Sequence, residues 1–485
     1  MAVNEQAHDS QTHDSSAPSD IRWTPLLLTL IVGVVIWLIG PPAGIEPKAW
    51  HLLAIFVATI VGFICKPLPM GSLSVISMTL LIITGTLTTQ ETLAGFSNTT
   101  IWLIVAAFFI SRGFIKTGLG TRIAYLFVRL FGKKTLGLSY SLILCDFILA
   151  PATPSNTARA GGIIFPIVRS LAEAFGSRPG DGTERKVGSF LTLTCFQGNM
   201  ITSAMFMTAM AANPLAVSFA KAAGIEITWG GWLLAALLPG IISLIVIPLF
   251  IYKVYGPEIK ETPGARQMAI DKLKELGPVK RSEKNMIFVF FIILLLWIFG
   301  EKIGIDATAT ALIGLSLLLA TNVLNWEDIK NEKAAWDTLI WFAALVMMAT
   351  QLNTLGLIPW VSQQISQSVS GMSWLTALIV LGAGYYYVHY LFASSTAHVS
   401  AMYPAFLAVA IHAGAPGMLA ALLFGFFGNL FGSTTHYGAG PAPVLFGSGY
   451  VSQGKWWSIG FCISVLHMII WFGAGMIWWK LLGFY

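Results

Sequence analysis

The sequence predicts an all-α integral membrane protein with about eleven transmembrane helices and two re-entrant hairpins, arranged as an inverted repeat. Three observations lead there. Of 485 residues, 56% are hydrophobic and only 10% charged, with a mean hydropathy of +0.75, whereas a soluble domain is about a quarter charged. Apolar stretches of about twenty residues, the length that crosses a bilayer, recur along the chain. Two further apolar stretches, one in each half, are interrupted by a short polar triplet.

Taken in order, residues 1–22 read as a disordered cytoplasmic tail: the first twenty carry four acidic groups and no Lys or Arg, unlike a signal or transit peptide. Spans are expected near Thr24–Gly40, Ala49–Cys65, Met70–Leu87, Ile101–Phe114, Val187–Ala211, Trp232–Tyr252, Asn285–Gly300, Ala307–Leu324, Thr338–Leu352, Met418–Leu430 and Trp457–Leu481. Residues 253–284 hold Pro, Gly and charge and read as a cytoplasmic linker between a first half, 23–252, and a second, 285–485.

Thr135–Leu171 and Ser373–His412 do not read as simple spans. The first is broken by Ser155-Asn156-Thr157 among Pro151, Pro154 and Gly161-Gly162, the second by Ser394-Ser395-Thr396. Each triplet is followed by Ala and a base, Arg159 or His398, with a proline farther on, Pro166 or Pro404. Broken backbone at membrane depth survives only in protein or beside a wet cavity. A pair of such segments at matching places is the sequence mark of a secondary transporter whose substrate lies between them. A second correspondence follows each hairpin. Thr202–Thr208 before Asn213-Pro214, and Gly432–Gly438 before Gly440-Pro441-Ala442-Pro443, each read as a helix broken at substrate level.

Charge orients the chain. Arg112, Lys116, Arg122, Arg129, Lys133 and Lys134 form one basic cluster, and the eight Lys and Arg from Lys253 to Lys284 form another. Basic loops stay in the cytoplasm, so the N-terminus is expected inside, the C-terminus outside and the protein in the cell membrane. A net charge of +6 does not point to nucleic acid. Cys65, Cys145, Cys195 and Cys462 lack metal-ligand spacing; neither a metal nor a cofactor is expected.

Half-helix N-termini offer unpaired N–H groups and partial positive charge, which suit carboxylate or phosphate. Ser155, Asn156, Thr157, Ser394, Ser395 and Thr396 are therefore expected at the substrate, together with Thr208, Thr434 and His436 from the broken helices. Two such tips suit a substrate with two carboxylates. Arg159 and His398 are read as charge-compensating groups, because an ionised group at this depth is a functional candidate by default. For Arg159 the alternative is an ion pair with Asp146 in the same hairpin, and for His398 a core histidine bonded to backbone. No Asp or Glu follows Asp337, so no later carboxylate can relay protons or hold a cation.

Leu149–Gly162, Phe392–His398 and Phe446-Gly447-Ser448-Gly449-Tyr450 resemble the divalent anion/sodium symporter family, in particular its bacterial citrate, tartrate and 2-oxoglutarate/malate translocators. The likeness runs over nearly the whole chain past the tail. It implies a homodimer in the lipid bilayer, an elevator mechanism and both triplets on a C4- to C6-type acid. Sodium-coupled members carry Ser-Asn-Thr in both hairpins; here Ser395 replaces the second Asn and removes an amide carbonyl. The expected function is sodium-independent exchange of di- and tricarboxylates, with sodium-coupled symport as the alternative. An intramembrane hydrolase using Ser394 and His398 lacks a carboxylate to orient the histidine, so no enzyme activity is expected.

Overall fold

Trp23–Ile39 (α1) presents Leu27, Leu28, Leu30, Ile31, Val34, Val35 and Leu38 to its surroundings. So continuous an apolar surface marks a face that meets lipid or another protein. The computed structural model describes residues 21–357, 359–360 and 371–485; residues 1–20 of the predicted tail lie outside them. Regular structure among the described residues is helical. Among the described residues, seven helices are long and apolar enough to cross a membrane, and four shorter apolar helices accompany them.

Pro47–Cys65 (α2) packs on α1, and Met70–Ile83 (α3) packs on α2. Asn98 caps Thr99–Thr117 (α4) by accepting from Thr100 N at 2.9 Å. Gly118, at φ 74, ends that helix and opens Leu119–Phe131 (α5). The basic cluster predicts a loop over this stretch. Strong amphipathicity instead makes it a helix that buries Leu119, Ala124 and Val128 and leaves Arg129 exposed.

Arg122 in α5 is itself buried. Its Nε donates to Glu283 Oε1 at 2.6 Å, and its Nη1 to Gly277 O at 3.0 Å. The pair fastens α5 to the start of a later helix, Arg281–Phe299. Removing one partner leaves a buried charge unmatched, so Arg122→Ala is expected to cost about 3–5 kcal/mol, and a Met/Leu replacement of both partners far less. Thermal unfolding of the detergent-solubilised variants checks this; an unchanged midpoint for Arg122→Ala would refute it.

Thr135–Leu149 (α6) runs into a 3-10 turn, Ala150–Ala152, and an extended step at Thr153. The chain restarts as Asn156–Arg159 (α7), a π-helical turn Ala160–Ile164 and Phe165–Ala174 (α8). It folds back on itself, since Arg159 reaches Asp146 in α6. Gly188–Met205 (α9) ends sooner than the expected span to Ala211: Phe206 is extended, Met207–Ala209 is a 3-10 turn, and Ala212–Ala222 (α10) follows. Trp229–Val254 (α11) tolerates Pro239 and Pro248 inside it, as membrane helices do when neighbours satisfy the freed carbonyls.

The expected linker contains a helix, Pro263–Leu276 (α12), which starts on a proline and stops at Gly277, φ 69. Its density of charge had concealed the buried Ala265 and Ala269. Arg281–Phe299 (α13), Ala307–Ala320 (α14) and Lys333–Thr354 (α15) lead to a second folded-back pair, Trp374–Tyr387 (α16) and Ser395–His412 (α17). Gly417–Leu430 (α18) breaks at Phe431–Ser433, and Pro441–Phe446 (α19) resumes after irregular backbone. Gln453–Ile470 (α20), a π-helical turn and Met476–Leu481 (α21) complete the chain. A helical hairpin followed by a broken helix thus occurs twice.

Candidate functional site

Both hairpin tips meet the irregular stretch between α18 and α19. Ser395 Oγ donates to Gly438 O at 3.1 Å. Gly440 lies so close to hairpin one that a methyl there would strike Thr157 Oγ1. Gln197 Nε2 of α9 donates to Ser433 O at 3.0 Å, and Asn429 Nδ2 donates to Asn213 Oδ1 at 2.5 Å. The two broken helices and the two tips therefore form one centre.

Each tip is capped by its own first serine. Ser155 Oγ accepts from Ala158 N at 3.1 Å and Ser394 Oγ from Ala397 N at 3.3 Å, caps of about 1 kcal/mol each. Ser155, Thr157, Ser394, Thr396 and His436 are partly open, whereas Asn156, Ser395, Thr208 and Thr434 are buried. Asn156 Nδ2 reaches Met210 Sδ at 3.4 Å. Thr208 Oγ1 donates to Pro151 O and accepts from Trp229 Nε1 at 3.1 Å, and Thr434 Oγ1 donates to Phe431 O at 2.8 Å. These four brace the tips and broken helices, while the other five side chains stay partly open.

Arg159 is fully buried. Its Nε donates to Asp146 Oδ1 at 3.1 Å, Nη1 to Thr153 O and to Ala209 O at 2.7 Å, and Nη2 to Ser203 Oγ at 2.8 Å. Asp146 accepts in addition from Asn199 Nδ2 at 3.0 Å and from Thr202 Oγ1. The expected free counter-charge at Arg159 is therefore corrected to the alternative: its charge is met by Asp146. Its planar fork ties the hairpin tip to the broken helix of the same half.

His398 is buried too, its ring parallel to Phe431 at 4.4 Å. Its Nδ1 lies 3.0 Å from His389 Nδ1, and His389 Nε2 lies 2.7 Å from Gly438 O. A carbonyl only accepts, so His389 Nε2 carries the proton and its neutral ring accepts at Nδ1. His398 Nδ1–H is then the donor, and its Nε2 is left buried without a partner. The geometry is complete with both rings neutral. In each half, then, an N–H group of the hairpin donates to a carbonyl of the broken helix: Arg159 to Ala209, His389 to Gly438.

Asn199, Gln197 and Asn429 belong to no sequence motif, and His389 reads from the sequence as structural or interfacial, in keeping with its bracing role. All four are polar residues in apolar stretches, which is itself a signal. From the tips, α7–α8 and α19 run side by side. Thr157 meets Gly440, a methyl on Gly161 would stand 3.2 Å from Val444 Cγ1, and Phe165 and Ser448 line a cavity of about 750 Å³ with Arg169, Glu173 and Tyr450.

The family model for the sodium:sulfate symporter transmembrane region matches residues 20–485. The chain belongs to that family. A Bacillus subtilis (strain 168) relative named for malate transport, YflS, is 62% identical over 97% of this chain and 98% of its own. Dicarboxylate transporter 1 of Spinacia oleracea chloroplasts is 50% identical over 95% of this chain and 81% of its own, and inner membrane protein YbhI of Escherichia coli (strain K12) is 39% identical over 94% and 97%. The solved YdaH transporter of Alcanivorax borkumensis shares the fold, with a TM-score of 0.59 at 10% identity over 95% of this chain and 97% of that one. This family member is a multi-pass membrane transporter and not an enzyme.

Proposed function

We propose that this chain exchanges dicarboxylates and related tricarboxylates across the cell membrane without sodium, by an elevator movement of the paired hairpins and broken helices. The names of the bacterial and chloroplast relatives support the substrate class. The two capped half-helix N-termini supply donors and partial positive charge for two carboxylates, with Ser155, Thr157, Ser394, Thr396 and His436 at the surface of the site.

The observation that carries sodium independence is the Arg159 fork. Hard cations bind oxygen ligands, yet Thr153 O and Ala209 O, the main-chain oxygens joining tip to broken helix, already accept from a guanidinium. His389 and Ser395 occupy Gly438 O in the same way. These resident donors do the bracing that a co-transported cation would do. An empty site leaves the helix N-termini without an anion and crosses slowly, while a loaded one crosses faster, which makes the carrier an exchanger. The two hairpins are read as re-entrant, the cavity beside α8 and α19 as the cytoplasmic opening, and the assembly as a homodimer.

Counterflow tests the proposal. Vesicles loaded with unlabelled succinate are expected to take up labelled succinate at the same rate with and without external Na⁺, and empty vesicles to take up little. Uptake into empty vesicles that saturates with Na⁺ would establish the symporter suggested by the family's name instead.

A further inference from the structure

We infer that His436 meets the substrate as a neutral donor, through Nε2–H, and that Trp457 is the positioning residue that holds it in that form. This rests on the dicarboxylate reading above.

Trp457 Nε1 lies 2.9 Å from His436 Nδ1. An indole N–H can only donate, so Nδ1 must present its lone pair and the ring proton must sit on Nε2, at the opposite edge. Protonating the ring would put a second hydrogen between the two nitrogens and break the bond. The ring is held in place by Phe446 at 4.6 Å and Tyr437 at 5.2 Å. Tyr437 is anchored in turn by its hydroxyl, which donates to Tyr390 O at 2.8 Å, and Trp457 packs on Tyr390 at 5.8 Å. The titratable group packed on His436 is thus the phenol of Tyr437. Among the described residues no acidic or basic side chain is in hydrogen-bond or ring contact with the imidazole.

His436 lies on the stretch that both tips touch, two residues before Gly438 and four before Gly440, and is partly open. The indole fixes which ring nitrogen carries the hydrogen, so the site offers an N–H at one place and in one direction. Phe446 belongs to the Phe446–Tyr450 motif, so its packing against His436 gives part of that motif a role at the site.

Two measurements in proteoliposomes test this, both at neutral pH with fumarate, which is doubly ionised there. Gln places its amide nitrogen where Nε2 sits and Asn where Nδ1 sits. His436→Gln is expected to keep KM near the wild-type value, and His436→Asn to raise it about tenfold or more, the loss of one hydrogen bond to a charged group. The reverse order, or equal weakening by both, would overturn the assignment. Equal and unchanged KM for both would show that His436 does not touch substrate. In Trp457→Phe, Nδ1 loses its donor and the ring hydrogen can sit on either nitrogen, so KM is expected to rise about threefold or more. The His436→Gln/Trp457→Phe double variant should keep the KM of His436→Gln, whose amide needs no such hold. An unchanged KM in Trp457→Phe, or the same rise in the double variant, would overturn the role of the indole. Failure of the wild type to exchange fumarate at all would instead count against the dicarboxylate reading.

Discussion

Arg159→Lys is expected to abolish exchange although it keeps the positive charge. The guanidinium serves four acceptors at once: Asp146, Thr153 O, Ala209 O and Ser203 Oγ. They belong to the first arm and the tip of one hairpin and to the broken helix beside it. Lys is a compact charge with three donors on a flexible stem and cannot span that set. At least one buried carbonyl would lose its donor, at about 1–3 kcal/mol for each group left unpaired, and the tip would part from Ala209. Arg159→Gln is harsher, because Asp146 becomes an unmatched buried charge, a loss of about 3–5 kcal/mol. Adding Asp146→Asn to Arg159→Gln should recover much of that stability and none of the exchange, since the neutral pair still lacks the fork. Counterflow rates and thermal unfolding, measured on the same preparations, separate the two effects. Wild-type exchange by Arg159→Lys would mean that charge alone matters here and that the bracing is dispensable.

The reason this could not be read from the sequence lies in Thr153 O and Ala209 O. The triplets, the prolines and the two bases are local patterns, and they located the tips and the breaks. The alternative of an Asp146–Arg159 pair was visible because both residues fall in one hairpin. That the same guanidinium also reaches Thr153 O, Ala209 O and Ser203 depends on how α9 packs behind the hairpin, and main-chain carbonyls leave no trace in composition. Thr208 and Thr434 illustrate the same limit. Both lie at the predicted breaks, yet each turns its hydroxyl to a nearby carbonyl and is buried. Period and polarity locate a break but do not say which face of it is wet. Helices α5 and α12 were hidden for the opposite reason: their charge looked like loop, while Ala124 and Ala265 were already set on buried faces.

The second half offers a sharper test, because its base is held by another ring. His398 donates through Nδ1 to His389, and His389 donates through Nε2 to Gly438 O. Asn copies a donor at the δ position and Gln one at the ε position. His398→Asn is therefore expected to keep a substantial part of exchange, and His389→Gln likewise. His398→Phe strips His389 Nδ1 of its donor. His389→Phe strips Gly438 O of its nearer donor and leaves His398 Nδ1–H buried without an acceptor. Each Phe variant leaves one or two buried polar groups unpaired at about 1–3 kcal/mol apiece, so exchange should fall about tenfold or more. Stacking on Phe431, at 3.8 Å for His389 and 4.4 Å for His398, would survive in the Phe variants, so a loss there is a loss of hydrogen bonds and not of packing. The outcome also decides what His398 is for. Asn cannot carry a proton at any working pH, so an active His398→Asn carrier needs a donor at that position and not a cation. An inactive His398→Asn that still unfolds at the wild-type temperature would restore the charge to His398. The second half would then supply the counter-charge that Asp146 cancels in the first.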